Sequence, residues 1–282
     1  MMKRIRTALC LILAAALLAG CAFLPSESEP EALAPADPLT GHPLEWPGQR
    51  PVAVTIENST ASATQWGISS ASVVLEALTE AGMATELCLV YPALSATPKV
   101  GPVAAGQDIY WRLLVGQQPL PVQRGGGQFD QNYLDYYSIR AVDALEAGRT
   151  AFDCGSEWSN APLWYTSGSA VSKVLDALSI SAVLTESRVT SAASAAAASA
   201  SSGSDAVLTV PALLPQEEDG KLPDATAPDA VNVRVCFDDN NATGFAYDPD
   251  SGLYRMLHAD GTPQLDANNG QQAGFDNLLV LF

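Results

Sequence analysis

The alternation of apolar and polar residues changes its period along the chain. In RPVAVTIEN (50–58), Val52, Val54 and Ile56 fall on one face, which is the period of two that a strand requires. SSASVVLEALTEAG (69–82) instead begins with serines, has apolar residues at helical spacing and ends on a glycine. We therefore predict a strand followed by a helix in these two segments.

The next segments continue this alternation. ELCLVYPAL (86–94) and QPLPVQ (118–123) have the pattern of strands. DIYWRLLVG (108–116), a tyrosine-rich segment at 131–137 and the segment 169–178 have the pattern of helices. Strands that alternate with helices are typical of a layered α/β domain. We predict such an α/β N-terminal domain, a layered sheet with helices, over residues 39–186.

Two low-complexity stretches follow. TSAASAAAASASSGSD (190–205) is nearly pure Ala and Ser and has no apolar stripe, and PQEEDGKLPDATAPD (215–229) is rich in proline and acidic residues. We predict a linker over 187–230, disordered in its Ala/Ser part. The alternative is that the alanines prolong the preceding helix, since Ala has the highest helix propensity.

Residues 231–282 predict a smaller, β-rich C-terminal domain. VNVRVCF (231–237), GFAYD (244–248) and LYRMLH (253–258) have the pattern of strands, with DPDSG as the turn between the last two. The chain ends on NLLVLF (277–282), and a bare apolar strand promotes aggregation. We therefore expect this segment to be a central strand, or the domain to continue beyond residue 282.

The N-terminal segment has the order of a bacterial lipoprotein signal. Basic residues at 3, 4 and 6 precede an apolar run at 8–19 and the tetrapeptide LAGC (18–21). The run is shorter than the roughly 20 residues of a membrane-spanning helix. We predict a signal peptide over 1–20 and lipidation of Cys21, whose acyl chains would anchor the protein outside the cytoplasm. The alternative is an ordinary secretory signal with a chance cysteine.

The segment that follows the predicted lipidation site, at 21–38, is rich in Pro, Glu, Ser and Ala, and predicts an extended tether. The formal net charge is −17 for the whole chain and −20 without residues 1–20, which contain three basic residues and no acidic one. Such a surface repels nucleic acid and anionic headgroups. We predict no nucleic-acid partner, and membrane attachment through Cys21.

Few side chains offer catalytic or metal-binding chemistry. The two histidines, His42 and His258, fall in different predicted domains, so we predict no triad. Cys88, Cys154 and Cys236 lack zinc spacing. An extracytoplasmic location permits a disulfide among them, but we expect buried thiols, at least for Cys88 and Cys236 within strands. We predict no metal site and no cofactor.

Several loops have suggestive compositions. DDNNATG (238–244) and DANNG (266–270) are rich in calcium-ligand residues but lack the EF-hand spacing, so we interpret them as turns. The glycines at 125–127 lack the helix signature of a phosphate loop. Glu76 and Glu80 lie four apart on the predicted helix and form either a solvated face or a carboxylate pair that holds a cation.

Aromatic residues form a second candidate group. Tyr133, Tyr136 and Tyr137 lie at helical spacing, and helically spaced aromatics are usually core residues. The alternative is that they stack sugars together with Trp164 and Tyr165. We favour the core interpretation.

The chain resembles a known family. TGHPL (40–44), RPVAVTIEN, TQWGISSASVVLEALTEAGM (64–83), KVGPVAAGQ (99–107), GGG (125–127) and APLWYTS (161–167) resemble, in this order, the N-terminal domain of the YerB-like bacterial lipoproteins. FAYDPDSGLYRMLHADGTPQLDANNG (245–270) and FDNLLV (275–280) resemble the C-terminal domain of that family. The resemblance implies a two-domain envelope lipoprotein without an established activity.

The chain departs from this family at its charged positions. In the family the Gly-Pro-Val motif continues into a serine flanked by two arginines, whereas residues 104–107 here are AAGQ. Leu163 replaces a family histidine, and either Gln123 or Arg124 replaces another. Tyr254 matches the family, as do several of the candidate binding residues. The candidates taken from the family and from the loop chemistry are Gln65, Glu76, Glu80, Gly101, Pro102, Gly125, Gly126, Tyr165 and Arg255.

Two functions follow from these observations. The first is a non-catalytic binding or interaction lipoprotein that faces cell-wall material or another envelope protein. The second is a hydrolase of a wall polymer that uses carboxylates alone, such as Glu76 with Glu80 or Asp130. A carboxyl group in a cleft with a raised pKa would favour the second function.

Overall fold

The computed structural model describes part of the chain. The described residues are 36–58, 65–79, 82, 84–154, 163–184, 210–214 and 229–281. The predicted signal peptide, Cys21 and most of the tether and the linker lie outside them. Among the described residues, no helix is long and apolar enough to cross a membrane.

The described residues form short helices and strands. The strands are β1 (Val52–Glu57), β2 (Val73–Leu78), β3 (Thr85–Tyr91), β4 (Leu120–Gln123), β5 (Val142–Asp143), β6 (Asp153–Cys154), β7 (Trp164–Tyr165), β8 (Asn232–Cys236), β9 (Ala242–Asp248), β10 (Leu253–Leu257) and β11 (Gly274–Phe275). The α-helices are α1 (Asp108–Leu114), α2 (Gln128–Tyr136), α3 (Ala144–Ala147) and α4 (Gly168–Val171).

The first sheet has the strand order β2-β3-β1-β4-β5. β1 runs parallel to β4, and β4 runs parallel to β5, whereas β3 is antiparallel to both β1 and β2. Val52 and Val54 face one buried cluster, while Ala53 faces a second cluster that includes Tyr110 and Trp111 of α1. β1 is therefore covered on both faces, as its continuous apolar sequence requires.

The second sheet is antiparallel, with the order β11-β10-β9-β8. Its inner face packs on the core of the first sheet, since Met256 and Ala273 belong to the same buried cluster as Val52. Phe245 and Phe275 pack against this cluster as well. The predicted β-rich C-terminal segment and the α/β sheet before it are confirmed. The exact division into domains at 39–186 and 231–282 stays a prediction.

The predicted helix at 69–82 is wrong. A 3₁₀ turn occupies Ile68–Ser70, and the chain then forms strand β2, which pairs with β3 from Val73↔Val90 to Leu78↔Thr85. The helical spacing of the apolar residues was overridden because pairing with a buried neighbouring strand stabilises the β-branched residues of this segment. Glu76 therefore lies on a strand.

Three further expectations need correction. The predicted helix at 169–178 ends at Val171 and continues as turns. Residues 277–281 form no strand, and Leu279 and Leu281 are 62% and 68% exposed. Cys236 is exposed because β8 is an edge strand, whereas Cys88 in β3 is buried as predicted. The other predicted strands and helices are confirmed with shifts of a few residues at their ends.

Residues 210–214, which belong to the predicted linker, contact the first part of the chain. The backbone N–H of Leu213 donates to Pro38 O at 2.7 Å, and Gln117 Nε2 donates to Pro211 O at 3.1 Å. Val210 and Leu184 line the same small apolar pocket. The chain thus returns at Val210 to the place that it leaves at Leu184.

Candidate functional site

The loop 99–107 runs alongside the end of β1. The N–H of Glu57 donates to Pro102 O at 2.9 Å, and the N–H of Ala104 donates to Thr55 O at 2.9 Å. The loop thereby lies at the carboxyl ends of the parallel strands of the first sheet. Ligand sites of open α/β sheets are found at such ends.

Gly101 is fixed by conformation and by space. Its φ is +146°, a value that L side chains rarely adopt, and a Cβ placed there would lie 2.8 Å from both Trp164 O and Tyr165 Cδ1. The peptide between Gly101 and Pro102 is cis. The predicted site residues Gly101, Pro102 and Tyr165 therefore lie together, with the loop packed directly on β7.

Asp130 organises a buried polar cluster beside this loop. It is fully buried and accepts hydrogen bonds from Trp111 Nε1 at 2.5 Å and from Gln123 Nε2 at 2.9 Å. Burial raises the pKa of Asp130, although these hydrogen bonds lower it in part. A Cβ at Gly106 would collide with Gln123, and one at Gly126 would collide with Asp130. The small residues of the loop therefore make room for this cluster.

The glycines at 125–127 stand directly before helix α2, which begins at Gln128, three residues before the predicted start at residue 131. The N–H of Gly125 donates to both carboxylate oxygens of Asp143, at 2.9 and 3.0 Å. Its carbonyl accepts from the N–H of Gly106 at 2.8 Å. The backbone N–H of Gly125 is thus already engaged by the Asp143 carboxylate.

Glu57 and Glu86 form a carboxylate pair that the sequence analysis missed. They are cross-strand partners of β1 and β3, so their side chains leave the same face of the sheet. Gln107 Nε2 donates to Glu86 Oε2 at 2.9 Å. Burial raises the pKa of Glu86 to about 7, and the charge of Glu57 adds to this effect. Only the register of two strands, which is not evident in the sequence, brings these residues together.

Glu76 points to the opposite face. Its cross-strand partner is Leu87, the neighbour of Glu86, and successive side chains of a strand alternate between faces. Glu76 Oε1 accepts from Asn58 Nδ2 at 2.8 Å and from Thr243 Oγ1 of β9 at 2.7 Å. Burial raises the pKa of Glu76. Glu76 therefore connects the two sheets, and Glu80 lies outside the described residues.

Gln65 lies close to Glu76. It is 3% exposed, and its Nε2 donates to Glu57 O at 2.5 Å and more weakly to Asn58 Oδ1 at 3.4 Å. Arg255, in contrast, lies on β10, where it forms an ion pair with Asp248 at 3.2 Å. The predicted site residues thus form three groups next to the loop 99–107, and Arg255 belongs to none of them. The groups are Gly101, Pro102 and Tyr165; Gly125 and Gly126; and Gln65 and Glu76.

Trp66 and Tyr165 form a half-buried aromatic corner around Lys99. Lys99 Nζ lies 3.7 Å from the ring centroid of Trp66 and 4.7 Å from that of Tyr165. The two rings are 6.5 Å apart and nearly perpendicular, at 78°. Both are half-buried, whereas Lys99 is exposed. We call Trp66 and Tyr165 the aromatic corner.

Asp266 anchors the second sheet beside this corner. It is fully buried and accepts from the N–H groups of Gly67, Ser69 and Asn268 at 3.0, 2.9 and 2.8 Å, and from Ser69 Oγ at 2.6 Å. Burial raises the pKa of Asp266, but the hydrogen bonds outweigh it and lower the pKa below its ordinary value. DANNG is a turn, as interpreted, and its aspartate also connects this turn to the distant segment 67–69.

The three tyrosines in and directly after α2 are not all core residues. Tyr133 is 8% exposed, but Tyr136 and Tyr137 are 80% and 51% exposed, so the core interpretation is wrong for these two. Trp164 packs edge-on against Phe152, at 6.4 Å between ring centroids. Among the described residues no group of three His, Cys, Asp or Glu side chains could hold a metal ion.

Comparisons with known proteins identify the family. The family model described as "Protein of unknown function (DUF3048) N-terminal domain" matches residues 39–181, which is half of the chain. The chain belongs to this family. This confirms the resemblance found in the sequence. The DUF3048 match includes the loop 99–107, the Asp130 cluster with Gly106 and Gly126, and the aromatic corner.

A relative of this DUF3048 protein is found in Bacillus subtilis. The protein of strain 168 named "Putative lipoprotein YerB" is 25% identical over 249 residues, which cover 86% of this chain and 66% of that protein. The crystal structure of YerB from Bacillus subtilis matches with a TM-score of 0.65 and 22% identity, over 85% of this chain and 72% of that one. The chain thus spans about two thirds of the length of the relative, and the structural match confirms the fold.

Proposed function

We propose that this protein is an envelope lipoprotein, anchored outside the cytoplasm by lipid on Cys21, that acts as a non-catalytic binding or interaction module. The LAGC tetrapeptide after a short apolar run supports the anchor. The name of the Bacillus subtilis relative agrees with it. Cell-wall material or another envelope protein would be the partner.

One observation carries the binding role. Around the loop 99–107, the polar side chains engage one another: Gln107 contacts Glu86, Gln123 contacts Asp130, and Asp143 holds the glycine backbone. The aromatic corner lies partly exposed beside them, where the loop meets the second sheet, and its rings contact a cation, the ammonium of Lys99. A rigid scaffold that presents a partly exposed aromatic surface is suited to recognition rather than to proton transfer.

The carboxylate hydrolase remains the second candidate because of one pair. Glu86, with a pKa of about 7, faces Glu57 across two strands, and unequal neighbouring carboxylates can serve as acid and base. This pair replaces the combinations of Glu76 with Glu80 or Asp130 that the sequence predicted. A wall polymer would be the substrate.

One experiment separates the two functions. The full chain is expressed in a bacterial host as wild type, as Cys21→Ser and as the matched control Cys10→Ser, which changes the other cysteine of the N-terminal segment. We expect the wild type and Cys10→Ser in the membrane fraction, and Cys21→Ser in the medium or as an uncleaved precursor. The released Cys21→Ser protein is then mixed with purified cell walls.

We expect this protein to sediment with the walls and to release no soluble fragments. If instead fragments appear, and their amount falls when Glu86→Gln is added, the hydrolase is correct. Membrane attachment of a processed Cys21→Ser protein would contradict the proposed anchor.

A further inference from the structure

We propose that the aromatic corner is a binding site for a cationic group of a ligand, with the chemistry of a quaternary ammonium, and that Lys99 of the same chain occupies this site in the structure. The proposal rests on the binding role proposed above and names the ligand chemistry of that surface.

The geometry of Lys99 supports this assignment. Its Nζ lies within the distance of about 6 Å from a ring centroid at which cations are attracted to aromatic faces, and it does so for two rings at once. Because the rings are nearly perpendicular, a cation between them can contact both, with Trp66 as the floor of the corner and Tyr165 as its wall. The corner therefore already holds a cation.

The two rings are held in place independently of Lys99. Trp66 exchanges two backbone hydrogen bonds with Gly101, at 2.8 and 3.2 Å. Tyr165 packs against the α-carbon of Gly101, where a Cβ would lie 2.8 Å from Tyr165 Cδ1. The backbone of Lys99 is fixed as well, since Asn268 Nδ2 donates to its carbonyl at 2.9 Å. The corner thus keeps its shape when the Lys99 side chain leaves.

Lys99 can be displaced at small cost. Its side chain is exposed, and a lysine ammonium is a compact and strongly hydrated charge on a flexible stem. A quaternary ammonium is the ligand class that aromatic faces recognise through cation–π contacts. The acidic protein, with a net charge of −17, also attracts cations and repels anions. A ligand cation is therefore favoured over an anionic one at this surface.

The test is a titration of the full chain, in non-ionic detergent, with tetramethylammonium chloride. Sodium chloride keeps the ionic strength constant, and tryptophan fluorescence reports occupation of the corner. Removing the competing lysine in Lys99→Ala should lower the Kd about two- to fivefold, the factor that corresponds to one exposed cation–π contact. Lys99→Gln, which keeps most of the side-chain stem but removes the charge, should also lower the Kd for tetramethylammonium.

Two further variants make the result specific. Lys173→Ala removes another exposed lysine and the same unit of charge, and it should leave the Kd unchanged. Lys99→Ala combined with Tyr165→Leu removes the wall of the corner and should abolish the gain. The proposal is overturned if Lys173→Ala tightens binding as much as Lys99→Ala, or if the double variant binds as tightly as Lys99→Ala.

The result is independent of the wall experiment. If the protein fails to sediment with walls but Lys99→Ala binds tetramethylammonium more tightly, the binding partner proposed above is wrong and the cation site stands. If the protein sediments with walls and none of the Lys99 variants binds tetramethylammonium better than the wild type, the cation site is wrong and the binding role stands.

Discussion

Asp130 and Asp266 are both fully buried, yet their pKa values are shifted in opposite directions. The pKa of Asp130 is raised and that of Asp266 is lowered, although burial acts to raise both. Asp130 accepts hydrogen bonds from the side chains of Trp111 and glutamines. Asp266 accepts mainly from backbone N–H groups and one hydroxyl. Besides the charge of Asp143, which also raises the pKa of Asp130, the two sites differ in the groups that donate to the carboxylate.

The two kinds of donor differ in their freedom. A glutamine can rotate its amide and present an oxygen instead of an N–H group, so a site built from glutamines tolerates a neutral partner. The backbone N–H groups of Gly67 and Ser69 cannot change into acceptors. A buried carboxylate surrounded by such groups stays ionised, and we expect it to be far more sensitive to substitution.

The largest effect is expected for Asp266→Asn. The new amide group would turn N–H donors toward the N–H groups of Gly67 or Ser69 and leave buried donors unpaired, which costs about 2–4 kcal/mol of unfolding free energy. Urea unfolding at pH 7 measures this loss. The matched control is Asp238→Asn in the exposed DDNNATG turn, whose carboxylate also accepts from backbone N–H groups. Equal losses in the two variants would refute the role of Asp266 as an anchor.

The same comparison predicts an acid dependence. Because the pKa of Asp266 is lower in the folded protein, its contribution is fully present above its ordinary pKa of 3.8 and is lost as the pH falls through the folded pKa.

A smaller effect of opposite sign is expected for Glu86→Gln. The folded pKa of about 7 lies above the ordinary value of 4.5, so the folded protein binds more protons between these pH values and stability falls as the pH rises through this window. Above pH 7, Glu86→Gln should be more stable than the wild type by about 1 kcal/mol, a figure reduced because the side chain is half-exposed. Thermal unfolding from pH 4.5 to 8 measures this, with exposed Glu45→Gln as control. A constant difference across the range would contradict it.

The smallest effect is expected for Asp130→Asn. The neutral amide resembles the protonated acid that burial favours, and Gln123 can rotate so that its Oε1, which has no partner among the described residues, accepts from the new amide. We expect a loss below about 1 kcal/mol. Urea unfolding of Asp130→Asn and Asp266→Asn under the same conditions compares their losses of unfolding free energy directly. If Asp130→Asn costs as much as Asp266→Asn, then burial decides both sites and the donors do not.

Local patterns predicted much of the fold. The period of two in β1, the spacing in α1 and the turn chemistry of DPDSG depend on neighbouring residues, and all three are confirmed. β2 was predicted wrongly because its spacing also fits a helix and its stability comes from pairing with β3. A single segment does not contain that information.

The candidate site was predicted only in part, for the same reason. The loop 99–107 and Tyr165 were identified from motifs, and the structure places them together. Glu57 and Glu86 meet only through strand register, and Asp266 lies 199 positions from Gly67. The composition of DANNG identified the turn but could not identify which distant backbone it would hold.

The return of the chain at Val210 has a practical consequence. Leu184 and Val210 border one small pocket, so the 25 residues between them begin and end beside the same pocket. The entropy cost of closing such an excursion grows only slowly with its length. The position is therefore a natural attachment point for a reporter, such as a fluorescent domain, that would follow the protein in living cells and leave both sheets and the aromatic corner intact.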